Sequence, residues 1–209
     1  MLDLHRTWSL AWKTLGARTA GDDLFTTLLA RYDEPHRHYH SRQHLTECLE
    51  HFDAVRHLPT HAAEVEVALW FHDAVYDLYS SDNEARSADW ARSACLQDGV
   101  PAEVANRVHA LIMATRHTAV PTGLDEQVLI DIDLSILGTP PARFAEYEEQ
   151  IRAEYAWVPG VLFRAKRRAI LQSFLDRPTL YSTAHFRNAL EATARDNLRR
   201  AMGLGLDAA

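Results

Sequence analysis

Histidine is the commonest metal ligand and the side chain best suited to move protons near neutral pH, and this sequence carries twelve of them. Five, His36, His38, His40, His44 and His51, fall within 16 residues. Further on, His72 and Asp73 are adjacent and close an apolar run containing Leu69, Trp70 and Phe71. A third feature is Ile130-Asp131-Ile132-Asp133-Leu134, where carboxylates interrupt an otherwise apolar stretch. A buried carboxylate is costly unless it is paired or bound to a cation. Two imidazoles and two carboxylates suit a borderline to hard divalent ion with positions left open for water. His44, His72, Asp73 and an aspartate near position 133 are therefore the candidate ligands.

These residues are distant in the chain: His44 precedes His72 by 28 positions, and Asp133 follows Asp73 by 60. The elements that must gather them read as helices. Apolar positions recur three and four apart between turn signals, and Ala, Leu, Arg and Glu dominate, in line with helix propensity. No alternating run is flanked by hairpin turns, so strands are not supported. The reading is all-α, with about ten helices over residues 4–15, 22–32, 42–57, 61–76, 82–97, 101–115, 125–137, 141–155, 161–175 and 184–202.

Gly21 breaks the chain between the first two, and Ser41 and Thr183 stand where N-caps belong. Ser81 and Glu84 have capping-box spacing, and Pro101 suits a first helical turn. Residues 203–209 are expected to fray. Adjacent helical residues point about 100° apart. His72 and Asp73 therefore converge on one ion only where a helix end or neighbouring elements bring both in. Two antiparallel neighbours would bring His44 close.

At 209 residues the chain is long enough for one well-buried core, and with no repeat or convincing linker the expectation is a single domain. A net charge of −7 argues against general nucleic-acid binding, which needs a basic excess. Two cysteines, Cys48 and Cys95, are too few for a disulfide framework and fit a reducing cytoplasm. No stretch approaches the roughly 18 uninterrupted apolar residues of a membrane span. The polar start Met-Leu-Asp-Leu-His-Arg has no apolar run behind it, so a soluble, cytoplasmic protein is expected.

The order His … His-Asp … Asp resembles the HD superfamily of metal-dependent phosphohydrolases. The wider context is Tyr39-His40-Ser41-Arg42-Gln43-His44-Leu45, Trp70-Phe71-His72-Asp73-Ala74-Val75-Tyr76-Asp77, Asp131-Ile132-Asp133-Leu134-Ser135-Ile136-Leu137-Gly138 and Ile151-Arg152-Ala153-Glu154-Tyr155. Together with the final helix it is similar to a branch of uncharacterised predicted HD phosphohydrolases, over about residues 25–200. The resemblance implies a helical bundle of the HD type. It also implies a divalent metal (Mn, Mg, Fe, Co, Ni or Zn) and hydrolysis of a phosphomonoester or phosphoanhydride, a nucleotide among the candidate small substrates. His44 would be the first ligand, His72 and Asp73 the namesake pair, and Asp133 the last ligand, with Asp131 its rival.

The resemblance also makes Asp77 an acidic residue that assists hydrolysis, although Tyr76 stands where the related (p)ppGpp hydrolases carry Glu. A cap in the loop before Leu78 is the other reading of Asp77. His117 would line the site, or else sit exposed at a helix C-terminus favoured by the dipole. His109 reads as a surface or core residue, and His40 as lining the mouth. Arg37 and Arg42 are candidate phosphate binders, arginine offering a rigid fork. The Lys166-Arg167-Arg168 cluster is better read as a solvated helix face. His44, Cys48 and His51 share a helix face, as a zinc site would, but a fourth ligand is lacking and Cys48 reads as a small buried residue. Two alternatives stay open, a di-iron oxygenase of HD type and a non-catalytic nucleotide sensor; a homodimer is a candidate assembly on any of these readings.

Overall fold

A computed structural model of the chain describes residues 2–204. Among them every regular element is helical, ten α-helices and one 3-10 segment, with no strand. Backbone contacts group the chain into two compact units, one up to Ile132 and one from Asp133 onward. The division falls at the last residue of a helix rather than at a linker.

The first unit holds α1 (Leu4–Thr14), α2 (Asp22–Tyr32), α3 (Arg42–Val55), α4 (Ala62–Phe71), α5 (Asn83–Gln97), α6 (Ala102–Ala114) and α7 (Leu124–Asp133). Its centre is α4, which packs against α1, α3, α5 and α6. The sequence Ala-Ala-Glu-Val-Glu-Val-Ala-Leu-Trp-Phe is apolar nearly all round, and such a helix belongs in a core; Glu64 through Phe71 are all buried. The two carboxylates among them are matched by guanidinium forks, Arg107 on Glu64 at 2.8 and 2.7 Å and Arg56 on Glu66 at 2.6 and 3.1 Å. Bidentate pairing of this kind offsets the penalty of burying charge. Trp8 and Trp12 of α1 stack at 5.0 Å, and Trp8 meets Trp70 of α4 edge-on at 5.6 Å. Gly21 breaks the chain as expected: its φ of +71° suits glycine, and a Cβ there would stand 2.9 Å from Trp12.

Two local expectations need correction. The capping box of Ser81 and Glu84 does not form, since α5 starts one residue later with Asp82 at its N-cap. Ser41 holds the N-cap position of α3 but makes no side-chain capping bond. Thr183, by contrast, accepts the Phe186 N–H at 3.5 Å.

The second unit comprises the 3-10 segment Leu134–Gly138, α8 (Pro141–Glu154), α9 (Gly160–Leu175) and α10 (Ala184–Ala201). The expected helix over 125–137 is split: α7 stops at Asp133 and the backbone tightens. Carbonyls of the tightened turn are bound from afar, Leu134 O by the Tyr181 hydroxyl at 3.1 Å and Leu137 O by the Asn197 amide at 2.9 Å. Arg167 pairs with Glu148 and lies 4.9 Å over the Tyr147 ring, and Arg168 donates to Met202 O at 3.1 Å. At the end of α10, Gly203 has φ +68° and the Leu204 N–H returns to Arg199 O at 2.9 Å, a left-handed helix cap. Of the tail expected to fray, residues 205–209 lie outside the described residues. No helix among the described residues is long and apolar enough to cross a membrane.

Candidate metal centre

The site forms where α4 stops. The sequence reading carries this helix to residue 76, yet it ends at Phe71, with a turn closed by the Ala74 N–H on Phe71 O at 2.9 Å. Both partners of the next helical bond are engaged elsewhere. Asp73 O accepts from the Arg37 guanidinium at 2.6 Å, and the Asp77 N–H goes to the Asn83 side chain at 3.0 Å. Arg37 is buried and reaches three further acceptors, Ala74 O at 3.2 Å, His40 O at 3.1 Å and Glu34 at 3.0 Å. Its guanidinium lies between the Tyr32 and Tyr76 rings, 5.3 and 5.4 Å from their centres. In this arrangement Arg37 braces the turn rather than facing a ligand.

Breaking the helix here lets adjacent side chains converge, as the sequence requires. His72 Nε2 stands 3.1 Å from His44 Nε2 and 3.1 Å from Asp73 Oδ2, and His44 Nε2 is 3.5 Å from the same oxygen. Ligands sharing one ion with bonds of about 2.1 Å stand roughly 3.0–3.4 Å apart. The observed triangle has that size; the circle through its corners has a radius of roughly 1.9 Å, inside such a bond length. His72 Nδ1 lies 2.8 Å from Leu69 O. A carbonyl only accepts, so Nδ1 carries the proton and Nε2 presents its lone pair, the orientation that metal-binding histidines adopt. Burial works to raise the Asp73 carboxyl, but the neighbouring imidazoles of His72, His40 and His44 prevail and hold it well below the usual carboxylate range.

The fourth position comes from α7. Asp125, near its start, accepts the N–H groups of Thr60 and His61 and contacts the His61 ring at 2.8 Å, where α4 begins. Eight residues of helix then cover about 12 Å, which brings the far end of α7 alongside the far end of α4. Asp133, the last residue of that helix, offers an oxygen to a group with His44, His72 and Cys48, all ligand atoms lying within 4.8 Å of one another. The chain thus contains a buried cluster of His, Cys and Asp side chains able to hold a metal ion. Asp131, fully buried in α7, is not in that group, and neither is Asp73, which meets the two imidazoles through its Oδ2.

Asp77 is exposed, and its carboxylate accepts the Tyr79 N–H at 2.9 Å, a loop-closing contact. His117 follows α6 with φ +54°, half-buried, with Nδ1 shut off from solvent. Arg42 is exposed at the start of α3 and paired with Asp33. His109 sits at the surface beside Asp89 at 3.2 Å. His40 is closer to the cluster than a residue at the mouth: its ring stacks on Tyr76 at 4.1 Å and meets His44 edge-on at 6.2 Å. Its position four residues before His44 is the signal for that. Cys48, four residues after, is the other residue the sequence reading set aside.

Comparison of the chain with protein-family models, with curated proteins and with solved structures finds no match in any of the three. The functional reading therefore rests on the residues themselves.

Proposed function

We propose that the chain is a metal-dependent phosphohydrolase acting on a small phosphomonoester or phosphoanhydride, nucleotides among its candidate substrates. The observation that carries this reading is the triangle of His44 Nε2, His72 Nε2 and Asp73 Oδ2, with Asp133 beside it. The chain order of these residues, similar to that of the HD superfamily, supports it. His44, His72, Asp73 and Asp133 would hold a divalent ion, which would supply polarisation of a phosphoryl oxygen and a bound water of lowered pKa.

The chain's own residues supply the rest. Arg37 fixes the carbonyls of residues 73 and 74, so the Asp73 carboxylate stays where the imidazoles meet. The His40 ring, half-buried beside His44, is placed to take or return a proton; His117 and Asp77 are further candidates for that role. A cleft of about 490 Å³ borders the turn from Ala74 to Asp77, with Arg31, Arg86 and Tyr79 among its lining. That is within the usual size of a small-molecule site, about 300–1,000 Å³. Its arginines, paired at rest with Glu34 and Asp82, are suited to phosphate once released, and Tyr79, 77% exposed, to a flat base. Arg42, at the start of α3, is a further candidate for phosphate on leaving its partner Asp33.

The test is a phosphatase panel over nucleotides and simple phosphomonoesters with Mn, Mg, Co, Ni and Zn. Turnover that disappears when His72→Ala and Asp73→Ala are combined supports the proposal. Turnover unchanged in that variant refutes it.

A further inference from the structure

We infer that Cys48 is a ligand of the same ion, which makes the centre a mixed nitrogen, sulfur and oxygen site rather than one of imidazole and carboxylate alone. This rests on the reading of His44 and His72 as metal ligands. Cys48 lies one helical turn beyond His44, on the same face of α3, and is 1% exposed. Its Sγ is 3.7 Å from His44 Nε2. In a tetrahedral site with metal–nitrogen bonds of about 2.05 Å and a metal–sulfur bond of about 2.3 Å, the nitrogen–sulfur edge is roughly 3.6 Å. The separation has that length, but Sγ is also 3.7 Å from His44 Nδ1, so the His44 ring must turn its Nε2 towards the sulfur for both to reach one ion. Sγ belongs to the one group among the described residues whose ligand atoms all fall within 4.8 Å, with His44, His72 and Asp133. Two imidazole nitrogens, a sulfur and a carboxylate oxygen complete four positions. Asp73, its side chain 18% exposed and its Oδ2 3.1 Å from His72 Nε2, supplies a fifth.

The consequence is selectivity. A thiolate shifts preference from Mg and Mn towards Zn, Co or Fe, which narrows the range that the imidazoles and carboxylates leave open. Binding breaks the Cys48 S–H bond, releases the proton to solvent and directs the sulfur electron pair to the ion; nothing is oxidised or reduced. Cys95, the other cysteine, is buried in α5 outside the group, and burial pushes its thiol up to about 12.

Cobalt(II) titrated into the full-length apo-protein separates the possibilities. The expected result is one cobalt per chain with intense near-ultraviolet thiolate-to-cobalt absorption. In Cys48→Ser and Cys48→Ala, checked for folding by circular dichroism, cobalt still binds but this absorption is lost. In Cys95→Ser it persists. The zinc-over-manganese preference falls by at least about tenfold in Cys48→Ser. Cobalt bound to the wild type without that absorption, or absorption surviving in both Cys48 variants, overturns the sulfur ligand and leaves the imidazole site standing. Failure of the wild type to bind cobalt, zinc or manganese overturns the site itself.

Discussion

Replacing Arg37 tests whether this side chain braces the metal turn or waits for phosphate. Its guanidinium makes four hydrogen bonds, to Glu34 at 3.0 Å, His40 O at 3.1 Å, Asp73 O at 2.6 Å and Ala74 O at 3.2 Å, from a side chain with no exposure. Charge-assisted bonds contribute about 1.5–3 kcal/mol each, but water replaces some of them after truncation. Glu34, 26% exposed, is readily rehydrated, whereas the buried carbonyls are not. The expected loss in Arg37→Ala is therefore about 3–5 kcal/mol, the range for breaking a buried charged contact. In a chain of this size that is roughly 6–20 °C in Tm.

Metal affinity should fall about 10–100-fold as the Asp73 backbone is released. Arg37→Lys, which keeps the charge but not the fork, should fall between. Burial raises the Glu34 carboxyl, but its bonds to Arg31 and Arg37 prevail and lower it overall. A depressed folded-state pKa contributes stability above the unfolded value of about 4.3 that is lost as pH falls through the folded one. The acid side of the stability profile should accordingly be flatter in Arg37→Ala. Calorimetry across pH and metal titration read all three effects. Stability within about 1 kcal/mol of wild type, unchanged metal affinity and a raised KM alone would refute the bracing role.

Other perturbations probe the scaffold. A Cβ at Gly138 would stand 2.5 Å from Leu190 Cβ and 3.0 Å from both Leu190 O and the Tyr181 hydroxyl. Gly138→Ala should therefore destabilise by about 1–3 kcal/mol in thermal melts, whereas Gly123→Ala, with open space around it, should lie within about 0.5 kcal/mol of wild type. Burial raises the Glu66 carboxyl more than Arg56 lowers it. A raised folded-state pKa gives stability that is full below the unfolded value and lost as pH rises through the folded one. Removing the cation in Arg56→Ala should increase that loss, so this variant should be relatively more stable at about pH 5 than at about pH 7. Denaturant melts showing no added pH dependence would contradict the pairing.

The helical elements follow from apolar spacing, and α2 spans the predicted residues 22–32. What the pattern misses are helix ends set by distant partners. Residues 72–76 continue the helical periodicity of α4, but Arg37, some 36 positions earlier, takes the carbonyl that the helix would have used. The turn at Leu134–Gly138 is fixed in the same way by Tyr181 and Asn197. His44, His72, Asp73 and Asp133 are readable because imidazoles and carboxylates in apolar surroundings need a reason to be there. Cys48 passes for an ordinary small core residue, since burial alone does not distinguish a packed thiol from a ligand. Arg37 reads as a phosphate binder until its acceptors are seen, because the same fork serves a phosphate or a row of carbonyls.

On the proposed reading the chain binds one divalent ion between His44, His72 and Asp73. Elemental analysis and calorimetric titration of the full-length protein, alongside His44→Ala and the combined His72→Ala, Asp73→Ala variant, test it most directly. The expected result is one ion per chain in the wild type, chelator-sensitive thermal stabilisation of about 2.7 kcal/mol at a hundredfold excess over Kd, and loss of both in the folded variants. Equal metal content and equal stabilisation in wild type and variants would contradict it, and two irons per wild-type chain would point instead to the di-iron alternative.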